Sequence, residues 1–252
     1  MNVFYTEDAL NHQHAYVALG VFDGVHRAHA ELITCCKKAA DQAGRPCFVY
    51  TYANQTHSKK FEQAGGALTT VEEKIECLEK LGISNVILMT FTQEYRSATS
   101  LEFLQRLCKD ERVEAIFCGL DYRFGYDAVG QGNVDFMRKQ QRALGYTLHA
   151  IDDIILDGAP ISSTRVRAAL AEGDCSYARR LLGYPYTVGV EQIQGDAGSW
   201  PSGKAVIPDA TYRCLDKDGS CLIQIQSRQV RWLDRKPAQQ ERMRVQFLEK
   251  VK

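Results

Sequence analysis

The sequence predicts an α/β fold, a doubly wound parallel sheet followed by a small C-terminal β attachment. Short apolar runs rich in β-branched and aromatic residues recur along the chain, and longer segments with helical periodicity separate them. Continuous apolar strands that alternate with helices are typical of a parallel sheet with both faces covered. After residue 183 the pattern changes to short alternating stretches punctuated by proline, which are typical of half-exposed strands.

The individual elements follow from these patterns. The apolar runs predict strands over residues 15–22, 46–52, 85–91, 114–119 and 146–152, and the periodic segments predict helices over about 29–43, 71–81, 100–109 and 133–144. Two further helices, "SSTRVRAALAEG" and "DCSYARRLLG", follow, and glycine ends each of them. We therefore expect a first domain over residues 1–183 and a small β-rich domain over residues 184–252.

Composition limits the classes of partner. Lysine plus arginine equals aspartate plus glutamate at 31 each among 252 residues, so no overall field favours nucleic acid or an anionic membrane. No apolar run reaches the ~20 residues of a membrane span. The nine cysteines form no C-x-x-C pair, and the N-terminus has no secretory leader pattern. We expect a cytoplasmic protein with small-molecule substrates, and the sequence leaves the oligomeric state open.

Two histidines three residues apart follow the first predicted strand. In "GVFDGVHRAH", Gly20 and Gly24 allow a sharp turn, and His26 and His29 share one face at the start of a helix. A helix N-terminus binds anions, and imidazoles can donate hydrogen bonds to phosphate oxygens. The spacing alone favours two solvent-facing cap residues, and metal binding lacks an evident third ligand.

A second helix start carries hydroxyl groups and arginines. In "PISSTRVRAAL", Ser162, Ser163 and Thr164 can cap a helix or bind phosphate, and Arg165 and Arg167 add positive charge. A helix cap alone would also explain the hydroxyl groups. Taken together, the two helix starts indicate a cradle for a triphosphate.

These two segments resemble the HxGH/ISSTxxR nucleotidyltransferase superfamily. "CGLDYRFGYDAVGQGN" and "GDCSYARRLLGYPY" extend the likeness to the adenylyltransferase module of the bacterial riboflavin kinase/FMN adenylyltransferase family, the prokaryotic FAD synthetases. The resemblance covers about residues 15–186. It implies FMN adenylyltransferase activity: AMP passes from ATP, with Mg²⁺, to FMN, giving FAD and pyrophosphate in FAD biosynthesis.

The resemblance also implies roles for particular residues. The implied catalytic residues are His26, His29 and Arg167. The implied ATP-binding residues are Gly20, Phe22, Asp23, Gly24, His26, His29, Gly119, Asp121, Ser162, Ser163, Thr164 and Arg167. The implied flavin-binding residues are Tyr52, Asn54 and Phe124, and no protein ligand for a metal is implied.

The chain departs from the family pattern at three places. Ala28 stands where the family has glycine in H-x-G-H, and the segment "YTYANQTHSKK" lacks the family's prolines near the flavin. The C-terminal region lacks a P-T-A-N motif, so we expect residues 184–252 to be an inactive remnant of a riboflavin kinase domain. Two alternatives stay open: a non-catalytic nucleotide- or flavin-binding protein, and a nucleotidyltransferase with a different acceptor.

Overall fold

A computed structural model of the chain describes residues 1–53, 65–90, 92–126, 132–237 and 240–251. The chain divides into two compact units. The first comprises Met1–His57 and Val71–Ile155, and the second comprises Ser58–Thr70 and Leu156–Lys252. The C-terminal stretch of the second unit begins at Leu156, whereas the sequence predicts a division at 183/184, and the two helices after residue 160 group with the C-terminal strands.

The first unit is built on a six-stranded sheet in the order β1-β4-β3-β2-β5-β6. Every neighbouring pair is parallel, as predicted. Strand order reverses at β2, which pairs with β3 on one side and β5 on the other, and ligands of such sheets bind beyond the strand ends at this point. The strands are β1 Asn2–Phe4, β2 Ala15–Leu19, β3 Cys47–Tyr52, β4 Asn85–Met89, β5 Val113–Gly119 and β6 Thr147–Ile151.

Helices cover both faces of this sheet. They are α1 Arg27–Ala43, α2 Val71–Lys80, α3 Gln93–Ser97, α4 Ser100–Leu107 and α5 Val134–Leu144. Consecutive residues of β2 lie in different core clusters. Val17 packs in a cluster with residues of α4 and α5, whereas Ala18 packs with residues of α1 and α2. The doubly wound α/β prediction is thereby confirmed.

The caps explain where several helices begin and end. Thr99 and Glu102 form a capping box at the start of α4, and Gly44 ends α1 with a φ of 65°. Two boundaries differ from the prediction. Strand β2 stops at Leu19 because the chain turns at Phe22, where φ is 50°, and α1 begins at Arg27. The edge strand β1 was not predicted, since its three residues carry no readable periodicity.

The second unit contains two helices and a closed antiparallel barrel. The barrel order is β10-β13-β12-β11-β14-β9, and its alternating burial matches the predicted β attachment. Tyr186, Tyr212, Trp232 and Phe247 fill its interior. The elements are α6 Ser163–Ala171, α7 Cys175–Leu182, β9 Tyr186–Gln194, β10 Ala197–Ser199, β11 Ala210–Asp216, β12 Gly219–Gln226, β13 Gln229–Trp232 and β14 Arg242–Lys250. Two short strands, β7 Ile155–Leu156 and β8 Ala159–Pro160, pair with each other.

No helix in the described ranges is long and apolar enough to span a bilayer.

Buried Arg112 joins the N-terminal segment of the first unit to the end of α4. The side chain is 4% exposed and donates from Nη1 to Asn11 Oδ1 at 2.9 Å and from Nε to Leu107 O at 3.2 Å. It also donates to the carbonyl groups of Glu7 and Arg106. A cation at this position satisfies carbonyl groups that a helix end leaves without partners.

Replacement of Arg112 tests this connection. We expect Arg112→Met to lower the free energy of unfolding by about 3 kcal/mol, because it leaves several buried acceptors without donors. Urea unfolding followed by circular dichroism measures the change. Arg138→Met is the matched control: Arg138 is exposed and pairs with Asp135, so its loss is expected to cost no more than about 0.5 kcal/mol. Equal effects of the two variants would contradict the role given to Arg112.

Candidate functional site

The turn after β2 has a strained backbone. Phe22 and Val25 have φ of 50° and 35°, and Gly24 has φ of 80°. Positive φ is unfavourable for a β-branched residue such as Val25, and such strain is characteristic of binding sites. Gly20 is required at the start of the turn, because an added Cβ would lie 2.6 Å from the Phe22 ring. A side chain at position 20 would therefore displace the Phe22 ring.

Lys74 of α2 hydrogen-bonds to the backbone of this turn. Its Nζ donates to Val21 O and Tyr52 O, each at 2.8 Å, and Thr51 Oγ1 also donates to Val21 O at 2.9 Å. The side chain is fully buried, and burial lowers the pKa of Lys74 to about 8, an effect that nearby Asp23 opposes. The sequence analysis missed this residue. A lysine on the apolar face of a predicted helix was the available signal.

His26 and His29 are stacked at the start of α1. Their ring centroids lie 3.6 Å apart at an interplanar angle of 14°, and Phe22 meets the His29 ring edge-on at 5.2 Å. His26 is the N-cap: its Nδ1 accepts the backbone N–H of His29 at 3.3 Å. In neutral His26 the hydrogen consequently resides on Nε2, which makes that atom a donor. The pair is thus both a cap and a group of potential phosphate ligands.

Burial keeps both imidazoles neutral near pH 7. Desolvation lowers the pKa of His26 to about 4. It also lowers the pKa of His29 well below the usual range, with further lowering by His26 and Lys74. His29 Nδ1 is buried and has no hydrogen-bond partner among the described residues. An orphaned ring nitrogen at a helix N-terminus is the kind of group that a bound ligand satisfies.

The remaining predicted residues of the first unit lie at or after strand ends. Tyr52 ends β3 and Phe124 follows β5; each is 7% exposed and belongs to the same core cluster. Gly119 ends β5, and exposed Asp121 follows it so closely that an added Cβ at Gly119 would lie 3.0 Å from Asp121 Oδ1. Asn54 lies outside the described residues. Ala28 is the second residue of α1, where alanine favours the helix.

The hydroxyl-rich segment lies in the second unit. Ser162 caps α6 by accepting the backbone N–H of Arg165 at 3.3 Å, and the next two residues, Ser163 and Thr164, form the first turn. Arg165 donates to Ala159 O at 2.6 Å and to Pro160 O at 2.8 Å, so it anchors the preceding hairpin. The geometry gives Arg165 a structural role.

Arg167 of the same helix has a different partner. Its Nε donates to Gly66 O at 2.7 Å, within the second unit. The structure therefore groups the predicted residues into two sets. One set, Gly20 to His29 with Tyr52, Gly119, Asp121 and Phe124, belongs to the first unit, and the other, Ser162 to Arg167, belongs to the second. Within the described residues no group of three histidine, cysteine or acidic side chains is arranged to hold a metal ion.

The lowered pKa of His26 predicts a loss of stability in acid. Between pH 6.5 and about 4 the unfolded chain binds a proton at His26 that the folded chain does not, so stability is complete above pH 6.5 and falls as pH decreases. We expect this residue to remove about 2 kcal/mol of unfolding free energy between pH 7 and pH 5. His26→Asn, which retains a capping side chain, is expected to lose that part of the pH dependence.

Urea titrations at pH 7 and pH 5 measure the difference. Wild-type protein titrated under the same conditions is the reference. If wild type and His26→Asn lose the same free energy on acidification, the burial argument for His26 is wrong.

Curated relatives resemble this chain over most of its length. A bifunctional riboflavin kinase/FMN adenylyltransferase of Pseudomonas fluorescens is 31% identical over 73% of this chain and 59% of that protein. The corresponding protein of Listeria monocytogenes is 31% identical over 71% of this chain and 57% of its own length, and that of Escherichia coli K12 is 29% identical over 71% and 58%. The match thus spans less than two thirds of each relative.

A solved structure shows the same fold. The crystal structure of a protein described as a macrolide-efflux protein from Streptococcus pneumoniae superposes with a TM-score of 0.80 and covers 99% of this chain and 89% of that one, at 20% identity. At this identity the likeness concerns the fold alone.

A protein-family model also matches this chain. The model for FAD synthetase matches residues 8–165, which include the strained turn, the stacked histidine pair and the capped start of α6. The match covers more than half of the chain, and the relatives named above agree with it. The chain therefore belongs to the FAD synthetase family.

Proposed function

We propose that this protein is an FMN adenylyltransferase, which transfers AMP from ATP to FMN and gives FAD and pyrophosphate. Membership of the FAD synthetase family supports this assignment. The observation that carries it is the stacked pair of neutral histidines at the N-terminus of α1, with the buried His29 Nδ1 lacking a partner among the described residues. This arrangement suits a polyanionic substrate.

The reaction requires no covalent enzyme intermediate. A phosphate oxygen of FMN attacks the α-phosphorus of ATP in line, the new P–O bond forms FAD, and the bond to the β-phosphate oxygen breaks to release pyrophosphate. Catalysis then depends on positioning the two reactants and on donors placed where charge develops. We assign these donors to His26 and His29, which would contact the α- and β-phosphate oxygens.

Even a neutral imidazole can donate a hydrogen bond to a phosphate oxygen. His26 Nε2–H is already oriented by the hydrogen bond at Nδ1, so no reorganisation is needed when phosphate charge increases. The turn from Gly20 to Gly24, including Phe22 and Asp23, would approach the phosphates with its backbone.

The roles of the second set of residues follow the family resemblance. We assign Ser162, Ser163, Thr164 and Arg167 to the β- and γ-phosphates and the departing pyrophosphate, as the family resemblance implies. An arginine guanidinium suits phosphate because it donates two hydrogen bonds in a planar fork. We assign Gly119 and Asp121 to the adenosine.

We propose that Mg²⁺ enters as part of the nucleotide substrate. Phosphate oxygens and water are its preferred partners in nucleotide complexes.

Two of the residues assigned to the flavin are almost completely buried. Tyr52 and Phe124 are assigned to the flavin, yet each is only 7% exposed and packs within the core cluster of the first unit. This burial favours a second candidate, a nucleotidyltransferase with an acceptor other than FMN. A non-catalytic nucleotide- or flavin-binding protein is the remaining alternative, and Ala28 and the altered segment after Tyr52 favour it.

The other assignments rest on composition and sequence. We propose that the barrel has no riboflavin kinase activity, because its sequence lacks the P-T-A-N motif. We also propose a cytoplasmic protein whose partners are ATP and FMN rather than nucleic acid or membrane. All nine cysteines, which lie in the described part of the chain, are free, as a reducing compartment requires.

Replacement of His29 tests the catalytic assignment. We expect His29→Ala to lower the turnover number for FAD synthesis by about two orders of magnitude, the usual effect of removing a transition-state donor. FAD is measured by chromatography and pyrophosphate by a coupled assay. His14→Ala is the control, because His14 is exposed and precedes β2 at the opposite end of the strand. Unchanged FAD synthesis by His29→Ala would show that His29 has no catalytic role.

The choice of acceptor separates the functional alternatives. The protein is incubated with MgATP and either FMN or riboflavin, and FAD, FMN and pyrophosphate are followed. We expect FAD and pyrophosphate from FMN and no product from riboflavin. FMN formed from riboflavin would contradict the loss of kinase activity. No pyrophosphate with either flavin would instead support a different acceptor or a non-catalytic protein.

A further inference from the structure

The segment before α2 pairs with a loop of the C-terminal barrel. We call residues 65–70 the strap and residues 203–205, which lie between β10 and β11, the barrel loop. Ala67 N donates to Gly203 O and Ala205 N donates to Ala67 O, each at 2.8 Å. Ala67 and Lys204 thereby form a parallel β-bridge. Both segments belong to the second unit.

A buried lysine reinforces this pairing. Lys204 is 2% exposed, and its Nζ donates to Leu68 O of the strap at 2.9 Å. The same ammonium group lies 5.0 Å from the ring centroid of Tyr186, whose hydroxyl donates to Ala205 O at 2.6 Å. A buried ammonium group requires acceptors to offset its desolvation. The strap carbonyl is therefore part of what makes burial of Lys204 possible.

The strap in turn holds Arg167. Arg167 Nε donates to Gly66 O at 2.7 Å. Gly66 has a φ of 99°, and an added Cβ would lie 2.7 Å from Ala205 N and Lys204 C. The Gly66 backbone is consequently fitted between the Arg167 guanidinium and the barrel loop, with no space for a side chain.

We propose that the barrel loop, acting through the strap, positions Arg167 for the phosphates of the nucleotide. Lys204 and Gly66 are then positioning residues. Fixing one side of a guanidinium group orients its planar donors and lowers the entropic cost of binding an anion. This inference rests on the proposed function, because that proposal assigns Arg167 to the nucleotide. It gives the barrel a role in nucleotidyl transfer that needs no kinase chemistry.

Two adjacent glycines provide a matched test. Gly65 and Gly66 have φ of 90° and 99°, so alanine strains the backbone at either position, but nothing lies within 4 Å of an added Cβ at Gly65. We expect Gly66→Ala to weaken MgATP binding, measured by calorimetry without flavin, and to lower kcat/KM, each by about tenfold relative to Gly65→Ala. Equal values for the two variants would overturn the inference.

A double-mutant cycle distinguishes positioning from a general loss of structure. If Gly66 acts through Arg167, Gly66→Ala is expected to weaken MgATP binding no further when Arg167→Ala is already present. Additive losses would overturn the inference. If Arg167→Ala alone binds MgATP as wild type does, the assignment of Arg167 in the proposed function fails as well. If Arg167→Ala is impaired while Gly66→Ala is not, only the positioning inference fails.

Milder variants keep the test valid if Gly66→Ala does not fold. Tyr186→Phe removes the hydroxyl group that donates to Ala205 O of the barrel loop, and Lys204→Met removes the donor to Leu68 O. For either variant we expect faster hydrogen exchange at the Ala67 and Ala205 amides together with weaker MgATP binding. Lys217→Met is the control, since Lys217 is exposed on the turn after β11. Faster exchange with unchanged MgATP binding would overturn the inference.

Discussion

The buried ammonium group of Lys74 is the interaction on which the histidine site depends. The turn after β2 has left the sheet and contains two non-glycine residues with positive φ, so strand hydrogen bonds do not hold it. Lys74 instead binds Val21 O and Tyr52 O and joins the ends of two neighbouring strands. Within a low-dielectric interior such charge-assisted hydrogen bonds are strong, and losing one would leave a buried acceptor unsatisfied.

The same lysine also influences protonation. Its positive charge and the burial of the rings both disfavour a proton on His29. Asp23 offsets part of the cost of burying the ammonium group. One side chain therefore contributes to the shape of the turn and to the neutral state of an imidazole. A histidine pair with the same spacing on an exposed helix would have neither property, which is why the spacing alone was not decisive.

Much of the fold was predictable because its strands are buried on both faces and read as continuous apolar runs. The family match also agrees with the resemblance carried by the two helix starts. The missed features are those that periodicity does not encode. The three residues of β1 are too few for a pattern, and the stacking of His26 on His29 depends on side-chain torsions. The contacts of Lys74 and Lys204 join residues distant in sequence, so only the folded chain reveals them.

The strap has a consequence for how the chain can be divided. The strap, residues 65–70, belongs to the second unit, although β3 before it and α2 after it belong to the first. The two units are therefore interleaved along the polypeptide, and a single cut does not separate them. A chain ending at residue 183 would retain Arg167 and Gly66 but lose the barrel loop that pairs with Ala67. Such a truncation would contain every residue of the family signature and still lack part of what holds its arginine in place.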